Sequence, residues 1–257
     1  YKLPNKDTVK LDDLKNADID KNVEMMGIVI EHSFDQHIEK IKQYSCNPEK
    51  IGGKMLVVCS GEDTFSGFFC SKFFHEFKER RKDIKFFGIS SKYGAWIDGD
   101  KVESQGGWYK EQFMLALKNL KSTDNAIILH IDMIGEGVDV PGITGVLPLR
   151  DLGTIKSSQT LGRAMRLVSE DRMTLYNGSR KPEDRKNMVK PYAWVIVPIY
   201  SLKHEDSKEK LLEIAKKIRS ETGFTPSEKA ISTEGGGGEF GDTIIAGAIN
   251  SSAIGRG

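Results

Sequence analysis

Short apolar runs alternate with amphipathic stretches along most of the chain. The apolar runs have the length of strands and end at glycine, serine or polar turns. They predict strands at Lys54–Cys59, Ile84–Ile89, Ile127–Ile131, Gly145–Leu149 and Tyr192–Ile199. Between these runs, apolar residues recur at helical spacing, which predicts helices over Thr64–Arg80, Trp108–Leu120 and Thr154–Met165. Because strands that alternate with helices favour βαβ crossovers, the sequence predicts an α/β fold, a three-layer αβα arrangement around a mainly parallel sheet.

The remaining stretches divide the chain into regions. Residues 1–50 are predicted to be a linker or N-terminal extension from a missing upstream domain, with a strand at Val23–Ile30 and a helix at Phe34–Tyr44. Residues 51–203 form the predicted main domain. It includes an exposed loop or hairpin at Tyr93–Gly107 and a polar surface excursion at Ser169–Lys190. Residues 204–225 are predicted to form a charged C-terminal helix, and residues 226–257, with four consecutive glycines, a flexible tail.

Composition narrows the functional classes. The chain is 38% hydrophobic and 29% charged, and no apolar run reaches transmembrane length, so we expect a cytoplasmic protein with no membrane partner. A formal net charge of +1 gives no overall attraction to nucleic acid, so such binding would need a local basic face. The three cysteines lack metal-ligand spacing and are expected to be reduced, mostly packing thiols. The same spacing argument disfavours a zinc cluster of His32, His37 and Cys46, and no metal site is predicted.

Six phenylalanines between Thr64 and Arg80 allow two interpretations. Aromatic side chains on one helix face could stack on nucleic-acid bases. Their spacing at i, i+4 and i+8 favours packing in the core instead. The residues concerned are Phe65, Phe68, Phe69, Phe73, Phe74 and Phe77.

Candidate chemistry concentrates between Ala126 and Arg166. The buried strand at Ile127–Ile131 leads into a polar, glycine-punctuated turn, and a second strand and a helix follow. In that helix Gln159, Arg163 and Arg166 stand at i, i+4 and i+7, which places them on one face. Two guanidinium groups and an amide suit an anionic ligand, because arginine presents a fork of donors that matches phosphate oxygens.

A structural interpretation of the same residues stays open. Arg163 and Arg166 could pair with Glu136 and Asp139, and Asp139 could serve only as a turn residue before Val140 and a proline.

The residues DMIGEGVDVPGI, followed by QTLGRAMR, resemble motifs V and VI of superfamily 2 helicases and translocases. The similarity is closest to DEAD/DEAH-like proteins and to the motor subunits of type I restriction enzymes. Either motif alone is a weak signal, whereas the two in this order are a specific one. The resemblance covers roughly Lys54–Ile199 and implies the second, C-terminal RecA-like domain of such a motor.

The resemblance implies a nucleotide-binding role for the motif residues. Arg163 and Arg166 would contact the β- and γ-phosphates of ATP, one of them as an arginine finger, and Gln159 would order the attacking water or the γ-phosphate. In the preceding turn Gly137 would allow close approach of the backbone. Asp139 would bind the ribose or hold the arginines, and Glu136 belongs to the same nucleotide-binding turn.

Nucleic-acid contacts are implied at the ends of two earlier strands. Ser60 and Gly61 follow the strand that resembles motif IV, and Ser90 and Lys92 follow the next strand. Functional residues of parallel sheets gather at such carboxyl ends. The resemblance favours DNA as the partner, with RNA as the alternative. It also implies an upstream RecA-like domain and allows further subunits of a restriction-type complex.

ATP and Mg²⁺ would be held mainly by that upstream domain. The chain has no GxxxxGK[ST] sequence, and its nearest match, Gly52-Gly53-Lys54-Met55, lacks the hydroxyl residue and precedes its strand. The residues His130-Ile131-Asp132 imitate the end of a Walker B strand but lack a second carboxylate. Because ATP hydrolysis needs both elements, this chain alone is not expected to hydrolyse ATP.

The expected function is therefore the second motor domain of an ATP-dependent DNA helicase or translocase. One alternative is a non-catalytic RecA-like module that binds nucleic acid or another protein. A small-molecule enzyme on a nucleotide-binding fold is disfavoured, since Gly135-Glu136-Gly137 is not followed by a third glycine at Val140.

Overall fold

A computed structural model of the chain describes residues 19–102, 108–131, 140, 142–150, 160, 162–181, 183–197, 216, 220 and 244–249. The helices are α1 (Ile19–Tyr44), α2 (Glu62–Cys70), α3 (Lys72–Arg80), α4 (Tyr109–Lys118) and α5 (Ser169–Tyr176), with 3₁₀ turns at Pro48–Lys50 and Arg185–Asn187. The strands are β1 (Lys54–Val58), β2 (Ile84–Ser90), β3 (Gly94–Ile97), β4 (Asp100–Val102), β5 (Asn125–His130), β6 (Gly145–Pro148), β7 (Ala193–Val197) and β8 (Ile244–Ile249).

The strands form one mixed sheet in the order β4-β3-β2-β5-β1-β6-β7-β8. The middle strands β2, β5, β1, β6 and β7 are parallel to one another. Antiparallel strands close both ends, β3 and β4 at one and β8 at the other. The predicted α/β fold with a mainly parallel sheet is confirmed.

Helices cover both faces of the sheet because the central strands carry apolar residues on both sides. Along β1, Met55 and Val57 join one hydrophobic cluster, whereas Leu56 joins another. Alternate residues of a strand point to opposite faces. The first cluster includes residues of α1, α2 and α3, and the second includes residues of α4 and Ala164 and Met165. The three-layer arrangement follows from this division.

The N-terminal region differs from its prediction, because Ile19–Tyr44 is a single helix. Residues Val23, Met26, Ile30 and Phe34 are buried against the sheet. Their spacing of three or four residues matches one face of a helix. The strand predicted at Val23–Ile30 is therefore wrong, and residues 19–44 of the predicted extension belong to the core.

The phenylalanine-rich region forms two helices instead of one. Ser71 separates α2 from α3: its hydroxyl donates to the carbonyl of Phe68 at 2.7 Å and accepts the N–H of Phe74 at 3.0 Å. A serine that accepts the N–H of the third residue beyond it is an N-cap, so it starts a new helix. Five of the six phenylalanines are buried, which confirms core packing, and Phe73 packs against the same cluster.

The hairpin predicted within Tyr93–Gly107 is confirmed as β3 and β4. Asp98 and Gly99 connect the strands with φ of 51° and 83°. Two-residue hairpin turns favour positive φ at both positions, and Asp-Gly is a preferred pair for them. The helix predicted at Trp108–Leu120 is also present, as α4.

Two regions predicted to be peripheral contribute to the structure. The stretch Ser169–Lys190 contains α5, and its residues Asp171, Met188, Val189 and Lys190 are buried. The predicted tail supplies β8, which pairs with β7. Of the predicted helix in 204–225, the structure describes only residues 216 and 220, both helical. Within the described part of the chain, no helix combines the length and apolarity that crossing a lipid bilayer requires.

Candidate functional site

The arginine segment, by which we mean residues 162–166, follows β6. Residues 162–164 are helical, Met165 lies in a turn and Arg166 in a bend. Arg163 is only 8% exposed, whereas Arg166 is exposed. The helix therefore ends before Arg166, so the predicted i, i+4, i+7 face does not extend to that residue. Gln159 lies outside the described residues.

The segment is held on the sheet by the residues between and beyond its arginines. Ala164 and Met165 are 1% and 3% exposed and pack in the cluster that contains Val146 of β6. Because these apolar side chains face the sheet, the backbone between the two arginines is fixed against it. Both arginines make contacts within the chain.

The end of the arginine segment is bound by a buried lysine. The Nζ atom of Lys190 donates hydrogen bonds to the carbonyls of Ala164 and Arg166. The last carbonyls of a helix lack partners within it, and a cation there also complements the helix dipole. Lys190 is 4% exposed, and its burial lowers its pKa to about 7.

The backbone at Lys190 is in turn fixed by Asp171. Its carboxylate accepts the N–H groups of Val189 at 2.8 Å and Lys190 at 2.7 Å. The guanidinium of Arg180 lies 3.5 Å from the same carboxylate, whose side chain is fully buried. Burying a carboxylate is costly unless hydrogen-bond donors or a cation compensate its charge. Asp171 has two N–H donors and one guanidinium.

A second polar cluster lies at the same edge of the sheet. Thr144, directly before β6, accepts the N–H of Lys54 at 2.8 Å, and its hydroxyl lies 2.7 Å from Nε2 of His37. His37 is fully buried; burial, followed by the charge of Lys190, lowers its pKa to about 3. His37 is thus neutral at ordinary pH and contacts the strand-end residue Thr144. Across the described residues, no His, Cys, Asp and Glu side chains group into a metal site.

The Gly52-Gly53-Lys54 sequence is not a phosphate-binding loop. Lys54 is the first residue of β1, and its Nζ donates to the carbonyl of Ser122 at 2.9 Å. A Cβ atom at Gly52 would lie 2.2 Å from the carbonyl oxygen of Asp124, so glycine is required there by packing. Burial lowers the pKa of Lys54 to about 8, and the side chain points into the protein.

Of the predicted site residues that the structure describes, the nucleic-acid group and the end of the arginine segment lie at opposite edges of the sheet. Ser60, Gly61, Ser90 and Lys92 follow the carboxyl ends of β1 and β2. The end of the arginine segment is bound by Lys190, three residues before β7, and is therefore at the amino edge. Glu136, Gly137 and Asp139 lie outside the described residues.

At the carboxyl edge, the predicted nucleic-acid residues are engaged within the chain. Lys92 forms an ion pair with Asp63 of α2 at 2.8 Å, and the hydrogen bond from Lys92 lowers the pKa of that carboxyl. The hydroxyl of Ser90 is buried and accepts the N–H of Tyr93 at 3.0 Å. Ser60 and Gly61 are half-buried where α2 begins. The positive charge at this edge is therefore partly balanced by Asp63.

The cysteines differ from one another. Cys59, at the carboxyl end of β1, is fully buried, and burial raises the pKa of its thiol, so it is an unreactive packing residue. Cys46 and Cys70 are free and exposed, so the expectation of packing thiols is wrong for these two.

Sequence reasoning missed Lys190, Asp171, Lys54 and His37 as organising residues. One signal was available: Lys54 opens the apolar run of β1, and Lys190 lies between buried Val189 and a proline shortly before β7. A lysine beside a predicted buried strand needs carbonyl or carboxylate partners.

Comparison with known proteins returned no match: no family model, no curated protein and no solved structure is significantly similar to the chain.

Proposed function

We propose that the chain is the second motor domain of an ATP-dependent superfamily 2 DNA helicase or translocase, acting in the cytoplasm. The observation that carries the proposal is which strands precede the two motif sequences along the chain. The residues DMIGEGVDVPGI begin two residues after β5, and QTLGRAMR follows β6. These are the two strands that flank β1 in the parallel part of the sheet.

Each arginine has a distinct task in this proposal. Arg166 is exposed and lies where the short helix has ended, so its side chain can extend toward a ligand on a neighbouring domain. Arg166 is therefore the arginine finger. Arg163 is nearly buried, so it contacts the phosphates of ATP only if they lie directly against the surface of this domain. An arginine suits both tasks because it keeps its charge and offers several donors to phosphate oxygens.

A neighbouring RecA-like domain completes the nucleotide site. It supplies the P-loop and the acidic pair that hold ATP and Mg²⁺, neither of which occurs in this sequence. Closure of the two domains on ATP and their opening after hydrolysis then move the pair along a strand. DNA is the proposed track, with RNA as the alternative, and Ser60 and Gly61 are the proposed contacts on this domain.

Steady-state ATP hydrolysis by the full-length protein tests the proposal. Arg166→Ala is expected to lower kcat by roughly 10³-fold or more, since an arginine finger contributes about that much. Arg163→Ala is expected to lower it as well, with thermal unfolding measured in parallel because this residue is buried. Arg172→Ala, at an exposed arginine of α5, is the matched control and should keep full turnover. Wild-type turnover in Arg166→Ala would overturn the proposal.

A non-catalytic binding module is the second candidate. The observation that favours it is the separation of the arginine segment from the residues at the carboxyl edge. Nucleic-acid binding that persists without any ATP hydrolysis by the full-length protein would select this alternative.

A further inference from the structure

Lys190 is a buried cation whose partners are the carbonyls of the arginine segment. Its Nζ donates to the carbonyl of Ala164 and, at 2.6 Å, to that of Arg166. One acceptor carbonyl belongs to the residue after Arg163, and the other belongs to Arg166 itself. The ammonium therefore fixes where the short helix ends and from which point the exposed side chain of Arg166 projects.

Asp171 fixes the backbone at Lys190 through contacts other than those that Lys190 makes to the arginine segment. The carboxylate holds the backbone of Val189 and Lys190 through two hydrogen bonds, at 2.8 and 2.7 Å. Asp171 itself belongs to α5, which begins at Ser169, three residues after Arg166. Lys190 and Asp171 thus join the arginine segment, α5 and the chain before β7 at the amino edge of the sheet.

We infer that Lys190, held by Asp171, is a positioning residue for the arginines of the nucleotide site. The inference rests on the proposed function, since it assigns a role in hydrolysis to a residue that does not touch the nucleotide. Arginine fingers act by geometry: a displacement of about 1 Å can cost about 10²-fold in rate. Loss of the lysine leaves two carbonyls without their donor and lets the segment move.

The chain offers a matched control for this role. Lys54 is another buried lysine at the same edge, 1% exposed, and the two charges influence each other. The Nζ of Lys54, however, donates to the carbonyl of Ser122 and not to the arginine segment. Lys54→Met and Lys190→Met therefore remove similar buried cations, and only the second removes a contact to the arginines.

The test compares Lys190→Met, Lys54→Met and Arg166→Ala in the full-length protein, with kcat and KM for ATP measured below the unfolding temperature of each variant. Lys190→Met is expected to lower kcat about 10- to 100-fold with a smaller change in KM, whereas Lys54→Met should stay within about twofold of wild type. If Lys190→Met does not fold, Asp171→Asn, which weakens the same support, should lower kcat in the same direction.

Amide hydrogen exchange gives a readout independent of turnover. Peptides covering residues 162–168 should exchange at least tenfold faster in Lys190→Met and at the wild-type rate in Lys54→Met.

The outcomes separate the two claims. Loss of activity in Arg166→Ala with normal kcat in Lys190→Met overturns the inference alone, and so does an equal loss of kcat in both lysine variants. Full activity in Arg166→Ala overturns the proposed function itself, and the positioning role with it.

Discussion

At the scale of single residues, the amino edge of the sheet is built from buried ionisable groups. His37, Lys54 and Lys190 are each at most 4% exposed, and burial lowers the pKa of all three. Desolvation disfavours the charged form of a histidine or lysine, so it lowers the pKa. These residues therefore tie the stability of the fold to pH.

His37 gives a testable dependence of stability on acid. Its pKa is about 3 in the folded protein and 6.5 ordinarily. Between pH 3 and pH 6.5, His37 is therefore protonated in the unfolded chain but neutral in the folded one. Stability should fall as pH drops from 6.5 toward 3, by up to about 1.4 kcal/mol per pH unit from this residue.

Urea unfolding of wild type and His37→Gln at pH 7, 6, 5 and 4 measures this effect. The free energy of unfolding of the variant should fall less steeply over that range, because glutamine does not titrate. Equal slopes in the two proteins would show that folding does not lower the pKa of His37.

At the scale of elements, short polar residues decide where helices begin and end. The phenylalanine-rich stretch could be predicted as helical and as core from its periodicity. Its division into α2 and α3 could not, because it depends on the hydrogen bonds that Ser71 makes to both helices. The arginine segment shows the same limit: its composition predicts a helix, but its end depends on Lys190, a residue distant in sequence.

Ser71→Ala tests the cap of α3. Losing an N-cap hydroxyl costs roughly 1 kcal/mol, so the free energy of unfolding should fall by about that amount. Ser179→Ala, at an exposed serine beyond α5, is the control and should change stability by less than about 0.5 kcal/mol. Equal stability of Ser71→Ala and wild type in urea unfolding would remove the capping role.

At the scale of the whole molecule, the parallel sheet could be predicted from sequence, whereas the long helix α1 and the added strand β8 could not. The strands of the parallel core are continuous apolar runs, as expected where both faces are covered, so Lys54–Cys59 and Ile127–Ile131 could be recognised from sequence. The strand predicted at Val23–Ile30 is wrong because a short apolar run is compatible both with a strand and with the buried face of a long helix. The ion pair between Lys92 and Asp63 and the contact between Lys190 and the arginine segment join residues that only the fold brings together.

In the proposed motor, an arginine of this chain acts on ATP bound to a neighbouring domain. The most direct test is single-turnover ATP hydrolysis by the full-length Arg166→Ala protein at saturating ATP, beside wild type and Arg172→Ala. ATP should still bind, with Kd changed by less than about tenfold, while the hydrolysis rate falls by roughly 10³-fold. A single-turnover rate equal to that of wild type would contradict the proposed role of Arg166.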